Sequence, residues 1–188
     1  MQKSTWIAVI ALAVLAGVFF VIRDEPSKTV ETPTRIEAVE KMSRVEIIQP
    51  KAAGGELIVF ERGEAGWRMT RPVEGALTSS AQNKLEGLFA KEIRTDDLRL
   101  SVKKAKEYGL DEASAVKVAA YSAGSDTAAL ELEVGREIRV EQTGVRRTYI
   151  RKPGKDRIYR AQVALGDFVR NAPDKFRPKA KEAEQDVE

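Results

Sequence analysis

Residues 4–22 carry no charged side chain, and 6–22 are almost wholly Ile, Val, Leu, Ala and Phe. As a helix these 19 residues would reach roughly 28 Å, close to the hydrocarbon thickness of a bilayer. The run is apolar on every side and sits at the terminus, which suits lipid better than a protein core. Trp6 takes an interfacial position, and Ile7, Leu12, Leu15, Phe19, Phe20 and Ile22 supply bulk for the hydrocarbon region. Lys3 precedes the run and Arg23, Asp24 and Glu25 follow it. The positive-inside bias therefore favours a single-pass protein of the inner, cytoplasmic membrane, its N-terminus cytoplasmic and its main domain periplasmic or otherwise extracytoplasmic. A cleaved signal peptide with its site at Val14-Leu15-Ala16 is the rival reading, but 17–22 stays hydrophobic beyond that point.

The chain has neither cysteine nor histidine. That excludes a lipoprotein, a disulfide framework, thiolate or imidazole metal sites, and Cys or His nucleophile–base catalysis. Aromatic residues make up 6%, few for a base-stacking surface, and nucleic acid does not fit an exported domain. Residues 23–35 read as a linker with Pro26, Pro33 and balanced charges, and 179–188 as a charged tail. The globular part, 36–178, holds 26 bases and 22 acids and is long enough for one core.

Within that part, 44–48 is a strand candidate, and 56–61 with 67–71 flank a hairpin loop at 62–66. Ser79 and Gln82 have capping-box spacing, and Ala81, Leu85, Leu88, Phe89 and Ile93 fall on one helical face. Residues 97–100 are a further strand candidate, and 102–108 a short helix closed by Gly109. Strands at 115–121 and 129–134 follow, then 147–151 and 157–161 around a second hairpin loop at 152–156. A second helix is expected to place Ala161, Leu165, Phe168, Val169 and Ala172 on one face. Shifting the first helix by 80 positions superposes four apolar residues on the second, which suggests a duplicated strand–strand–strand–helix unit. The expected class is α+β: an N-terminal transmembrane helix, then an antiparallel sheet with two main helices on one face.

Candidate chemistry is sparse. Ser101-Val102-Lys103-Lys104 matches an S-x-x-K pattern, but no S-D-N or K-T-G follows, so Ser101 reads as a helix N-cap. The acidic pairs Asp96-Asp97 and Asp111-Glu112 read as solvated surface or turn capping, because neighbours on a strand point to opposite faces. The one feature with functional content is a basic ribbon. Residues 136–160 carry nine bases and three acids. Within it, Arg146, Arg147, Arg151, Lys152, Lys155, Arg157 and Arg160 are a candidate surface for an anionic lipid, polysaccharide or acidic protein. Edge strands kept soluble by Arg and Lys are the plainer reading of the same residues.

A succession of landmarks adds to this reading. Trp67-Arg68-Met69-Thr70-Arg71-Pro72 closes the first hairpin, and Tyr108-Gly109-Leu110-Asp111 follows the first helix. Next come a strand ending at Val134-Gly135, the Tyr149 strand, the Ile158-Tyr159 strand, and a helix running to Phe176-Arg177-Pro178-Lys179. Over about 44–179 this resembles the bacterial family called domain of unknown function 4340. That family usually has a proline two residues after the aspartate, where this chain has Ala113. The resemblance implies an exported, single-span protein associated with ABC-type export systems related to those of gliding motility. It implies an accessory role among transporter subunits at the membrane, and it offers no catalytic residue and no cofactor. Trp67, Tyr108, Tyr149 and Tyr159 read independently as large packing residues with polar tips, and Gly109 and Gly135 as cap and turn.

Overall fold

Strand alternation dominates the molecule. The computed structural model describes residues 34–97, 102–141 and 143–178. They form one ten-stranded antiparallel sheet in the order β1-β6-β10-β9-β8-β7-β2-β3-β4-β5. The strands are β1 Thr34–Ile36, β2 Met42–Ile48, β3 Leu57–Gly63, β4 Gly66–Arg71, β5 Gly75–Ala76, β6 Ile93–Asp97, β7 Val116–Ser122, β8 Leu130–Arg139, β9 Arg146–Arg151 and β10 Ile158–Ala161. Two α-helices are present among the described residues, α1 Ser79–Phe89 and the single turn α2 Gly166–Val169. Short 3-10 segments lie at Lys51–Ala53, Val102–Tyr108 and Pro173–Phe176.

β2 pairs with β7 near the middle of the sheet, and two meanders leave this pair in opposite directions, β3-β4-β5 and β8-β9-β10. Alternation sorts the two faces. Val45, Ile47, Ile58, Phe60, Val118, Ala120, Leu130 and Leu132 share the inner face and are buried, whereas Glu46, Ile48, Lys117 and Glu131 share the outer one. On α1 the buried residues are Ala81, Leu85 and Phe89, spaced for one helical stripe. The connection from β5 to β6 includes α1. Ile36 of β1, Ile93 of β6, Phe60 of β3, Met69 of β4 and Leu85 and Phe89 of α1 share one buried core. The sheet therefore bends around α1, as wide sheets do. Phe60 of β3 accordingly meets Phe176 at 5.0 Å and Phe168 at 6.3 Å between ring centroids. The Thr78 amide also reaches the Phe176 carbonyl (2.9 Å).

Several expectations are corrected here. The architecture is a broad sheet with one helix of three turns, in place of an α+β domain with two main helices. The expected second helix fails for a non-local reason. Ala161 pairs with Thr148 of β9 and Thr95 of β6 and so is a strand residue. The Thr148 hydroxyl then donates to the Val163 carbonyl and accepts from the Leu165 amide (2.9 and 3.0 Å), so backbone groups a helix would use are already satisfied. At the other end, Pro173 disfavours helical geometry at Ala172. The strand–strand–strand–helix repeat fails with it, since Ala81 is helical and Ala161 is not. Ile93 likewise belongs to β6 and not to the first helix.

No helix among the described residues is long and apolar enough to cross a membrane. The expected transmembrane segment at 4–22, Leu98 to Ser101 of the strand and S-x-x-K readings, and the tail 179–188 lie outside the described residues. Arg35, assigned to the linker by composition, is paired with Arg94 within β1.

The helix start is also refined. The N-cap of α1 is Thr78, whose hydroxyl accepts from the Ala81 amide (3.2 Å), and not Ser79. Gln82 turns away to donate to the Leu77 carbonyl (3.2 Å) and accept from the Trp67 amide (3.3 Å), joining the helix to β4. Thr78→Ala should lower unfolding free energy by about 1 kcal/mol, read as a shift in denaturation midpoint at unchanged slope.

Candidate functional site

The basic ribbon maps onto β8, β9, β10 and their loops, and most of its arginines are held internally. Residues Arg147, Tyr149 and Arg151 of β9 project from the outer face, opposite the buried Thr148 and Ile150. Arg160 and Asp96 stand beside Tyr149 across β10 and β6. Asp96 is only 6% exposed. It accepts from Arg147, from Arg160 Nε and Nη2 (3.0 and 2.9 Å) and from Gln162 (2.9 Å). Burial is the largest single influence on its carboxyl and opposes ionisation. The Gln162 and Arg160 hydrogen bonds and the charges of Arg147 and Arg160 together outweigh it, so the pKa lies below the usual aspartate value. The reading of Asp96 as solvated surface is therefore corrected. Arg151 pairs with Glu133 (2.6 Å) and donates to the Leu110 carbonyl (3.1 Å). Arg146 bridges Glu137 (3.3 Å) and Asp167.

The landmarks Tyr108, Gly109, Leu110, Gly135 and Tyr149 meet on the same face, whereas Trp67 and Tyr159 pack against the inner-face core. Tyr108 and Leu110, which precede β7, lie over β8 and β9, and the Tyr108 ring packs 4.9 Å from that of Tyr149. Opposite Tyr149, β8 carries an irregularity between Val134 and Glu137 that accommodates Gly135 and Arg136. A Cβ on Gly135 would stand 2.2 Å from the Tyr108 carbonyl oxygen and 2.9 Å from Leu110 Cγ, so only glycine allows this approach. Gly109 has φ +65° and lies against the Arg136 amide. The Arg170 guanidinium donates to the Ser114, Val134 and Gly135 carbonyls, and desolvation there lowers its pKa. The Asp111 carbonyl accepts from the Ser114 and Ala115 amides, while Glu112 pairs with Lys51 on the surface. Trp67 is buried and donates from Nε1 to Glu86 (3.2 Å). Pro72 follows β4 after a cis peptide bond. These residues brace one another.

Two open recesses adjoin these strands. The first, about 320 Å3, lies on the outer face over β2, β7 and β8. Ile48 (42% exposed), Ala119, Tyr121 and Pro153 line it, with Lys117, Glu131, Glu46 (paired with Arg44) and Glu133 (paired with Arg151) at the rim. Tyr121 donates to Glu46 (3.0 Å), and Arg44 stacks 3.9 Å above its ring. Burial and the Glu46 carboxylate raise the Tyr121 pKa, keeping the hydroxyl a donor. The second recess, about 360 Å3, lies where β1 meets the β9–β10 loop, lined by Arg35, Ile36, Lys152, Lys155, Asp156, Arg157 and Tyr159. Neither recess was legible in the sequence. The sign available was Ile48, an apolar residue on the polar side of the β2 alternation.

Among the described residues no group of three or more acidic side chains is arranged to hold a metal ion. Lys104 is exposed and pairs with Glu107. No family model, curated protein or solved structure matches the chain.

Proposed function

We propose that the protein is a non-catalytic accessory subunit, tethered to the cytoplasmic membrane by its apolar segment 4–22 and docking its extracytoplasmic sheet onto a membrane assembly. The observation that supports this reading best is the recess around Ile48, where an apolar strip of the central strands is left bare on a face that is elsewhere filled by ion pairs and by the Tyr108 segment. The occupant is a protein chain that covers Ile48, Ala119 and Pro153 with apolar side chains and sets a basic group against Glu131, the rim carboxylate with no ion-pair partner among the described residues. The family resemblance points to subunits of an ABC-type transport system as the assembly.

The test is affinity purification from native membranes in mild detergent. The wild-type chain should carry membrane subunits with it. The double substitution Ile48→Asp, Glu131→Arg should reduce their recovery about tenfold or more, the loss expected for a central contact. Recovery of the wild-type chain alone, under conditions that keep other membrane complexes together, would remove the reading.

A stand-alone binder using the whole ribbon for an anionic partner is less well supported. Arg146, Arg147, Arg151 and Arg160 already neutralise Glu137, Asp167, Asp96 and Glu133 within the fold.

A further inference from the structure

We propose that the recess between β1 and the β9–β10 loop is a docking point for the phosphate head groups of anionic lipids, a site that rests on the membrane-tethered reading above. Its walls are Arg35 of β1, which also pairs with Glu92 at the surface (3.3 Å), and Lys152, Lys155 and Arg157 of the loop, with Asp156 as the one carboxylate in the lining; the two lysines carry the site. The loop 152–157 is exposed throughout. Lys152 and Lys155 have no ion-pair partner among the described residues, unlike the four arginines committed to internal pairs. The volume of about 360 Å3 falls in the range of roughly 300–1,000 Å3 common for small-ligand sites. Guanidinium and ammonium groups together suit a phosphate, the one by paired donors and the other as a compact charge. Ile36 and Tyr159 add an apolar wall with a polar tip, a combination favoured at a lipid–water interface.

Chain connectivity favours lipid over other polyanions. Arg35 follows Ile22 by 13 positions, a stretch that extends at most about 45 Å. Tethering therefore keeps the recess at high local concentration near head groups. The attraction of an anionic leaflet itself acts only within a Debye length, so binding requires contact.

The experiment places the full chain in nanodiscs of phosphatidylcholine, or of phosphatidylcholine mixed with phosphatidylglycerol, and follows backbone hydrogen exchange. Exchange across 152–159 and at Arg35 and Ile36 should slow about tenfold in the anionic discs. The slowing should vanish in Lys152→Glu, Lys155→Glu and at high salt, while exchange within α1 stays unchanged and reports an intact fold. Equal exchange of the wild-type chain in both discs would overturn the proposal. So would equal slowing in phosphatidylcholine discs on adding inorganic phosphate, which assigns the recess to a free anion. Slowing by an added acidic polysaccharide or polyglutamate, but not by phosphatidylglycerol, would assign it to a macromolecular partner and overturn the lipid reading. Failure of the chain to remain with discs of either composition is a different result, and it would overturn the tether itself.

Discussion

Gly135→Ala should destabilise the domain by about 3 kcal/mol or more, at or beyond the top of the usual range for overpacking. The added methyl would lie 2.2 Å from the Tyr108 carbonyl oxygen and 2.9 Å from Leu110 Cγ, and neither can move alone. Leu110 is 1% exposed and its carbonyl accepts from Arg151, while the Tyr108 ring rests on Tyr149. Relief would require lifting the whole segment from β8, exposing Leu110 and freeing Arg151. Gly124→Ala is the contrasting control. Unlike Gly135 it has a positive φ, +76°, but its Cβ would meet nothing within 4 Å. Only the backbone penalty applies there, about 1 kcal/mol. Denaturation midpoints of the two variants separate the effects, and a Gly135→Ala midpoint equal to that of Gly124→Ala would show that the segment does not press on β8.

The second large effect is expected for Asp96→Asn, a loss of about 3 kcal/mol near neutral pH. The amide keeps the shape but leaves Arg147 and Arg160 without a counter-charge. Their side chains are 22% and 23% exposed, so water offsets part of the penalty and the value sits at the low end for a broken buried pair. The pH dependence has a definite sign. The folded pKa of Asp96 lies below its ordinary value, so the unfolded chain binds more protons in the window between the two. The stabilisation is therefore complete above the unfolded value of about 3.9 and is lost as pH falls through the lowered folded value. Asp96→Asn should flatten that part of the acid limb. A wild-type acid limb unchanged by the substitution would falsify the assignment.

Much of the strand content was legible because strand identity is local. The alternation of Leu130, Leu132 and Val134 with Glu131 and Glu133 requires a two-faced strand wherever it is placed, and the structure puts it in β8. Leu85 and Phe89 likewise need a helix that turns them the same way. The spacing of Leu165, Phe168 and Val169 satisfies that rule equally well, yet only one helical turn forms. Its upstream residues are claimed by two neighbouring strands and its backbone groups by a threonine hydroxyl. The ribbon shows the same limit. Composition marks an excess of bases between 136 and 160, but it cannot tell Arg160, which closes on an aspartate 64 residues away, from Lys152, which is exposed and has no ion-pair partner among the described residues.

Taken alone, the order of residues determined the apolar leader, the absence of thiol and imidazole chemistry, most strand positions and the first helix, since each depends on neighbours within a turn or a few pleats. Tertiary structure decided the rest: which strands pair, how far the second helix runs, why Gly135 must lack a side chain, and which cations stay free. These outcomes depend on atoms brought together from distant positions, and no local pattern records a contact whose partner lies dozens of residues away.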